Sequence, residues 1–144
     1  MATFQLFHEF KKYLGDGTID LDTHTFKVML SNTAPTVGTN TIKSDITEIS
    51  AGNGYTAGGA TLTSVTWAET GSGTGVWRWT SADFSWTASG GSIATFQYIV
   101  IYDDSVASPV KPLVGYWDYG SALSVTVGNS FASSIGANGI IELS

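Results

Sequence analysis

The sequence contains no cysteine, which excludes disulfides and thiolate metal sites and leaves the redox compartment unmarked. Positive charge is scarce: six Lys and Arg stand against twelve Asp and Glu, for a net charge of −6. Lys11, Lys12, Lys27, Lys43, Arg78 and Lys111 are scattered along the chain. A nucleic-acid surface needs clustered positive charge, so no nucleic-acid partner is expected. Charge of both signs is low, at 12% of residues, about half the usual share of roughly 25%. No apolar run reaches the roughly 20 residues of a membrane span, so no membrane partner is expected. Two lysines near the N-terminus follow its aromatic residues and no cleavage site is visible, so no secretory signal is expected.

What remains is a chain of 144 residues, the size of one ordinary domain with enough core to need no staples. With so little charge, its surface must be built from Ser, Thr, Asn and Gly, which suits strands joined by turns. Low charge fits a surface partly covered by other subunits; it fits an uncharged β-domain standing alone equally well.

The clearest architectural signal lies in Ser50–Glu69, where Gly52, Gly54, Gly58 and Gly59 surround Tyr55 and an alternating stretch follows. Glycines permit positive φ and close backbone approach, and a tyrosine in such a corner has an apolar ring to bury and a hydroxyl to satisfy. The pattern predicts a tight corner pinned by a buried Tyr55, its hydroxyl bonded to backbone, launching a strand over 61–67. No lysine and no helical pattern follow the glycines, so neither phosphate-loop fingerprint is met.

Upstream, residues 3–14 place Phe4, Phe7, Phe10 and Leu14 at three- and four-residue spacing, which predicts a helix capped by Thr3 and ended by Gly15. So short a helix needs a surface to cover; it either plugs its own domain or docks on a neighbouring subunit. The body is expected over 25–144, with strands at 26–30, 61–67, 93–101, 113–117 and 123–127 and further short ones at 76–79, 83–86, 131–135 and 140–143. The stretch 93–102 is expected to be central. Between 31 and 50, Pro35 rules out a central strand, while Ile42, Ile46 and Ile49 suggest a helical turn with Asp45 and Glu48 as a capping box. Short strands at regular turn spacing point to an all-β fold, an antiparallel β-sandwich or jelly roll, as a single domain with one N-terminal helix.

Chemistry is sparse. Asp16, Asp20 and Asp22 lack EF-hand spacing, His8 and His24 lack a zinc spacing, and no G-x-S-x-G motif is present. Neither metal nor cofactor is expected. Glu69, Asp83, Asp103, Asp104 and Asp118 could in principle supply a glycosidase pair, but acidic residues at strand ends usually form turns, and an enzyme is not expected. The five tryptophans allow two roles. Trp77, Trp79 and Trp117, with Tyr119, could stack on sugars, or the rings could fill the core.

Taken in order, the segments FxxFKKYLGDGTIDLDTHTFKVML, SDI, GNGYTAGGATL, WTASGGSIATFQYIVIYD, PLVGYWDYGSALSVTVGNSF and GIIEL cover nearly the whole chain. This ordered set resembles a family of small structural proteins of tailed bacteriophages. The resemblance implies a capsid decoration or cement protein, with the major capsid protein as partner and the outer surface of the virion as its place, made in the host cytoplasm. It implies no catalytic residue. Self-association is the default for such a subunit, with a trimer favoured over a dimer. A tail or receptor-binding role, or a carbohydrate-binding β-module, is the alternative. The candidate docking surface is Phe4, Phe7, Phe10 and Leu14, with the 31–50 excursion.

Overall fold

Alternating apolar residues become ladders wherever one face can be buried. The computed structural model describes residues 3–144. In chain order the elements are β1 (Phe4–Leu6), α1 (His8–Gly15), β2 (Phe26–Ser31), β3 (Ala60–Thr61), β4 (Thr66–Glu69), β5 (Trp77–Thr80), β6 (Ser85–Thr87), β7 (Phe96–Asp103), β8 (Leu113–Leu123), β9 (Ser130–Ala132) and β10 (Ile141–Leu143). With 38% strand, 8% helix and antiparallel pairing, the protein is all-β.

A five-stranded sheet runs in the order β1-β8-β7-β2-β3. Its centre is β7, FQYIVIYD, nearly all buried. Strands buried on both faces read as continuous apolar runs, and that is why this stretch lacks clean alternation. A three-stranded sheet, β10-β5-β4, and a two-stranded sheet, β6-β9, complete the body. One cluster of buried side chains reaches all three, from Phe7 and Phe10 through Met29, Ile99 and Val114 to Trp79, Trp86 and Phe131.

Three expected elements are corrected. The first is the N-terminal helix, which begins at His8 and not at Thr3. Phe4, Gln5 and Leu6 instead pair with Trp117, Tyr116 and Gly115 on the edge of β8. That edge offers backbone partners which a first helical turn would leave unmet. Gly115 makes room there: a Cβ on it would meet the Phe4 ring and the Gln5 carbonyl. The sheet body therefore starts at Phe4 and not at residue 25.

The second is the strand over 61–67, which is two strands in different sheets. β3 pairs with β2 and β4 pairs with β5. Between them Ser64 takes φ 51°, a left-handed conformation that no strand sustains. Leu62 donates its N–H to the Phe26 carbonyl, and the Thr63 carbonyl accepts from Ala82, so the chain has already passed from β2 to the segment after β5 before it turns at Ser64.

The third is the separate strand at 123–127. β8 runs on to Leu123, yet Tyr98 faces Asp118 while Phe96 faces Leu123. Five residues of advance on β8 thus match two on β7, and Tyr119–Ala122 bulge outward. Asp118 holds the bulge, accepting from the Gln97 amide and the Gly120 N–H. Beyond Leu123 only the Ile93 N–H continues the pairing, onto the Val125 carbonyl. The stretch 31–50 carries a single 3₁₀ turn, Lys43–Asp45. Asp45 accepts from the Thr41 and Ile42 N–H groups; Glu48 takes no part and turns inward instead.

Candidate functional site

The glycine corner is tight, and it leads into the two-residue β3 and not into a strand over 61–67. Gly52 and Tyr55 exchange both backbone hydrogen bonds, at 2.8 and 3.1 Å, across Asn53 and Gly54, both at positive φ. Gly54 lies against the Thr87 carbonyl and Gly59 against the Val28 carbonyl, too close for any Cβ. Tyr55 is 2% exposed, and its ring lies 6.0 Å from that of Trp86.

The reason for a tyrosine is a backbone donor. Leu30 sends its carbonyl outward from β2 to the Ile49 N–H, but its own N–H has no strand to meet. The Tyr55 hydroxyl accepts that N–H at 3.1 Å and donates to Glu48 Oε1 at 2.7 Å. The same Oε1 accepts the Gly58 N–H, while Lys43 reaches Oε2 at 3.1 Å. Burial acts to raise the Glu48 pKa, but the bonds from Tyr55, Lys43 and Gly58 outweigh it and hold the carboxyl below its ordinary range. Burial pushes the Tyr55 hydroxyl far above the usual tyrosine range, and the neighbouring carboxylate adds to this. Tyr102 closes the ring, donating to the Gly58 carbonyl at 2.6 Å.

Next to this corner, Lys111 lies 3.0 Å and Lys27 3.9 Å from the Asp104 carboxylate. The Lys111 approach is outside hydrogen-bonding angles, so Asp104 Oδ1 has a Coulombic partner without a hydrogen bond. Buried Asp103 meets His24 Nδ1 at 2.6 Å and accepts the Ser105 N–H; burial raises its pKa in spite of both. With Arg78–Glu142 and Lys12–Glu9, five of the six basic residues sit in ion pairs. The cluster is wired to itself: its charges are directed at one another and at backbone, and act as structural ties.

Two more of the acids that might have formed a catalytic pair are engaged with backbone. Glu69 accepts from Gly73 and Gly75, and Asp83 from Ile135.

The three candidate sugar-stacking indoles are not brought together. Trp79 is fully buried, its ring nitrogen donating to the Leu21 carbonyl at 3.0 Å. Trp117 is 4% exposed and lies under Phe4 at 4.6 Å. Trp77 alone is open, at 40%, and stacks on Trp67 at 5.7 Å. Trp77 and Trp79 do share a face of β5, but Leu21 and Phe26 cover only the Trp79 end.

The candidate docking stripe is also corrected. Phe7 and Phe10 are buried in the protein's own core, and Phe4 and Leu14 are half-buried against it. On α1, Phe10 and Tyr13 are taken up by the protein's own core, which leaves Leu14 alone at the surface of the stripe.

Two surface features were not legible from spacing alone. A groove of about 320 Å³ runs between Leu14, Ile19 and Leu21 on one side and Trp67 and Leu143 on the other, rimmed by Asp20 and Asp22. Since Leu143 pairs with Trp77 in register, exposed Trp77 and Leu143 continue half-buried Trp67 as one apolar strip. A wider cleft, about 670 Å³, lies beside the Tyr119 bulge and β9. Among the described residues no group of three metal-ligating side chains assembles, and no helix is long and apolar enough to cross a membrane.

No protein-family model matches the chain, no curated protein matches it, and no solved structure matches it.

Proposed function

We propose that this chain is a structural protein of a tailed-bacteriophage virion, a capsid decoration or cement protein that binds the assembled major capsid protein on the outer face of the shell. Its antiparallel sheets would pack as a β-sandwich, and its copies would associate about a symmetry axis as trimers. The observation that carries this is the strip Trp67, Trp77 and Leu143 beside its apolar groove. A surface with few unpaired charges and one aromatic strip is suited to a contact built from apolar burial and hydrogen bonds. The occupant is an apolar segment of the capsid protein. The strip replaces the Phe4–Leu14 stripe as the docking element.

A cement protein works by linkage: it binds the assembled shell and not its dissociated subunits, so it stabilises the shell by mass action. Many symmetric copies multiply a modest contact. With basic residues already paired internally, the affinity should change little with salt. Virions stripped of the protein, or made without its gene, should release DNA at lower temperature, and adding it back should restore the loss. Particles that keep their thermal stability but no longer adsorb to cells would instead make it a tail or receptor-binding component. That second role is favoured by one observation, the exposed Trp77 ring stacked on half-buried Trp67, an aromatic surface of the kind that sugars cover.

A further inference from the structure

We infer that the cleft beside the Tyr119 bulge is a binding site for a neutral saccharide. At about 670 Å³ it falls within the roughly 300–1,000 Å³ of small-molecule sites. No Asp, Glu, Lys, Arg or His lines it, so it offers nothing to compensate a phosphate, a carboxylate or a cation. It offers hydroxyls and an amide above apolar side chains, the two surfaces that a sugar ring also presents: O–H groups at its rim and C–H groups on its face.

The side chains divide by what they already do. Ser124 donates to the Ile93 carbonyl, and the Asn129 amide donates to Thr126 Oγ1. This leaves the Asn129 side-chain carbonyl as an acceptor, and the Tyr119 and Ser134 hydroxyls without a partner among the described residues. The Tyr119 ring stands 49% exposed and is held edge-to-face by Phe131 at 6.0 Å. An aromatic ring braced on one side and open on the other is a platform for a sugar face. The bulge produces this. Its extra residues lift Tyr119 off the β7–β8 ladder, and the Asp118 carboxylate fixes the lifted backbone through Gly120.

The inference does not depend on the virion role, and the test is done on the isolated full chain. Glucose, galactose, mannose and N-acetylglucosamine, with their α- and β-linked trisaccharides, are titrated in and followed by backbone amide shifts and calorimetry. At least one should give saturable shifts centred on Tyr119, Thr126 and Ser134. Tyr119→Ala should weaken it at least about tenfold, the effect of losing one aromatic contact. Tyr119→Phe should retain most of the affinity, and Ser134→Ala should lose a few-fold. Trp77→Ala should change nothing. No saturation with any of these sugars, shifts centred on Trp77, or affinity that survives Tyr119→Ala in a folded protein would each overturn the assignment. Tyr119 and Ser134 both lie outside the buried core, so their variants should fold.

Discussion

The hydroxyl of Tyr55 donates to Glu48 Oε1 across 2.7 Å while accepting the Leu30 N–H. One side chain thus fills the gap in the β2 ladder and holds the end of the 31–50 excursion. Tyr55→Ala should cost about 3 kcal/mol or more, as truncations of buried aromatics do. Tyr55→Phe keeps the ring and orphans a buried donor, so about 1–3 kcal/mol is expected. Urea unfolding measures both, and a loss for Tyr55→Ala under about 0.5 kcal/mol would mean that the ring is not anchored in the core.

Glu48 sets part of the acid response. Its folded pKa lies below the ordinary value of 4.5. The stability it contributes is therefore fully present above the unfolded value and is lost as pH falls through the folded one. Glu48→Gln should lower the unfolding midpoint at pH 7 and flatten its decline below pH about 4.5. Parallel curves for the variant and the parent would exclude the carboxylate as the source.

Gly59 and Gly73 share almost the same backbone, φ 79° and 76°, but not the same surroundings. Gly73 has open space where a Cβ would go, whereas Gly59 abuts Val28 and Met29 backbone. Gly73→Ala should cost the left-handed penalty alone, about 1–2 kcal/mol. Gly59→Ala should exceed it clearly, because β3 must leave β2 to admit the methyl. Similar thermal shifts for the two would contradict the close approach.

The indoles should separate by depth. Trp79→Ala removes a fully buried ring and should cost about 3–5 kcal/mol. Trp77→Ala should stay within about 1 kcal/mol and should remove the tryptophan fluorescence most easily quenched by acrylamide. Equal quenching of parent and Trp77→Ala would place the accessible indole elsewhere.

The antiparallel β class, the central β7, the Tyr55 corner and the end of α1 at Gly15 were legible because each rests on local chemistry: alternation, glycine, a capping stop. Phe4–Leu6 was misread because helical spacing and strand alternation coincide over so short a run; the choice is made by the open edge of β8, which is distant in sequence. The break at Ser64 carries no local mark, since serine is not a residue that announces positive φ. Trp77 and Trp79 look alike in a strand pattern, and only the reach of Leu21 and Phe26 tells them apart. Glu48 reads as a helix-cap partner until the unpaired Leu30 N–H is known. The Tyr119 cleft has no sequence signature, because it arises from a register shift.

The break between β3 and β4 has a mechanical consequence. Five steps separate Thr61 from Thr66, and a chain extends at most about 3.6 Å per residue, so the tether reaches roughly 18 Å, less than twice the ~10 Å spacing of stacked sheets. Within it, Leu62 is fastened to Phe26 and Thr63 to Ala82. A pull applied to the Trp67–Trp77–Leu143 strip that moves the three-stranded sheet beyond this reach must be passed on to β3. It tightens the tether and loads β2, whose neighbour is the most buried strand of the molecule. That load falls on a pairing two residues long, Lys27 with Thr61 and Val28 with Ala60. Displacement of one sheet against the other is thereby limited to the length of five residues, and the two are mechanically linked.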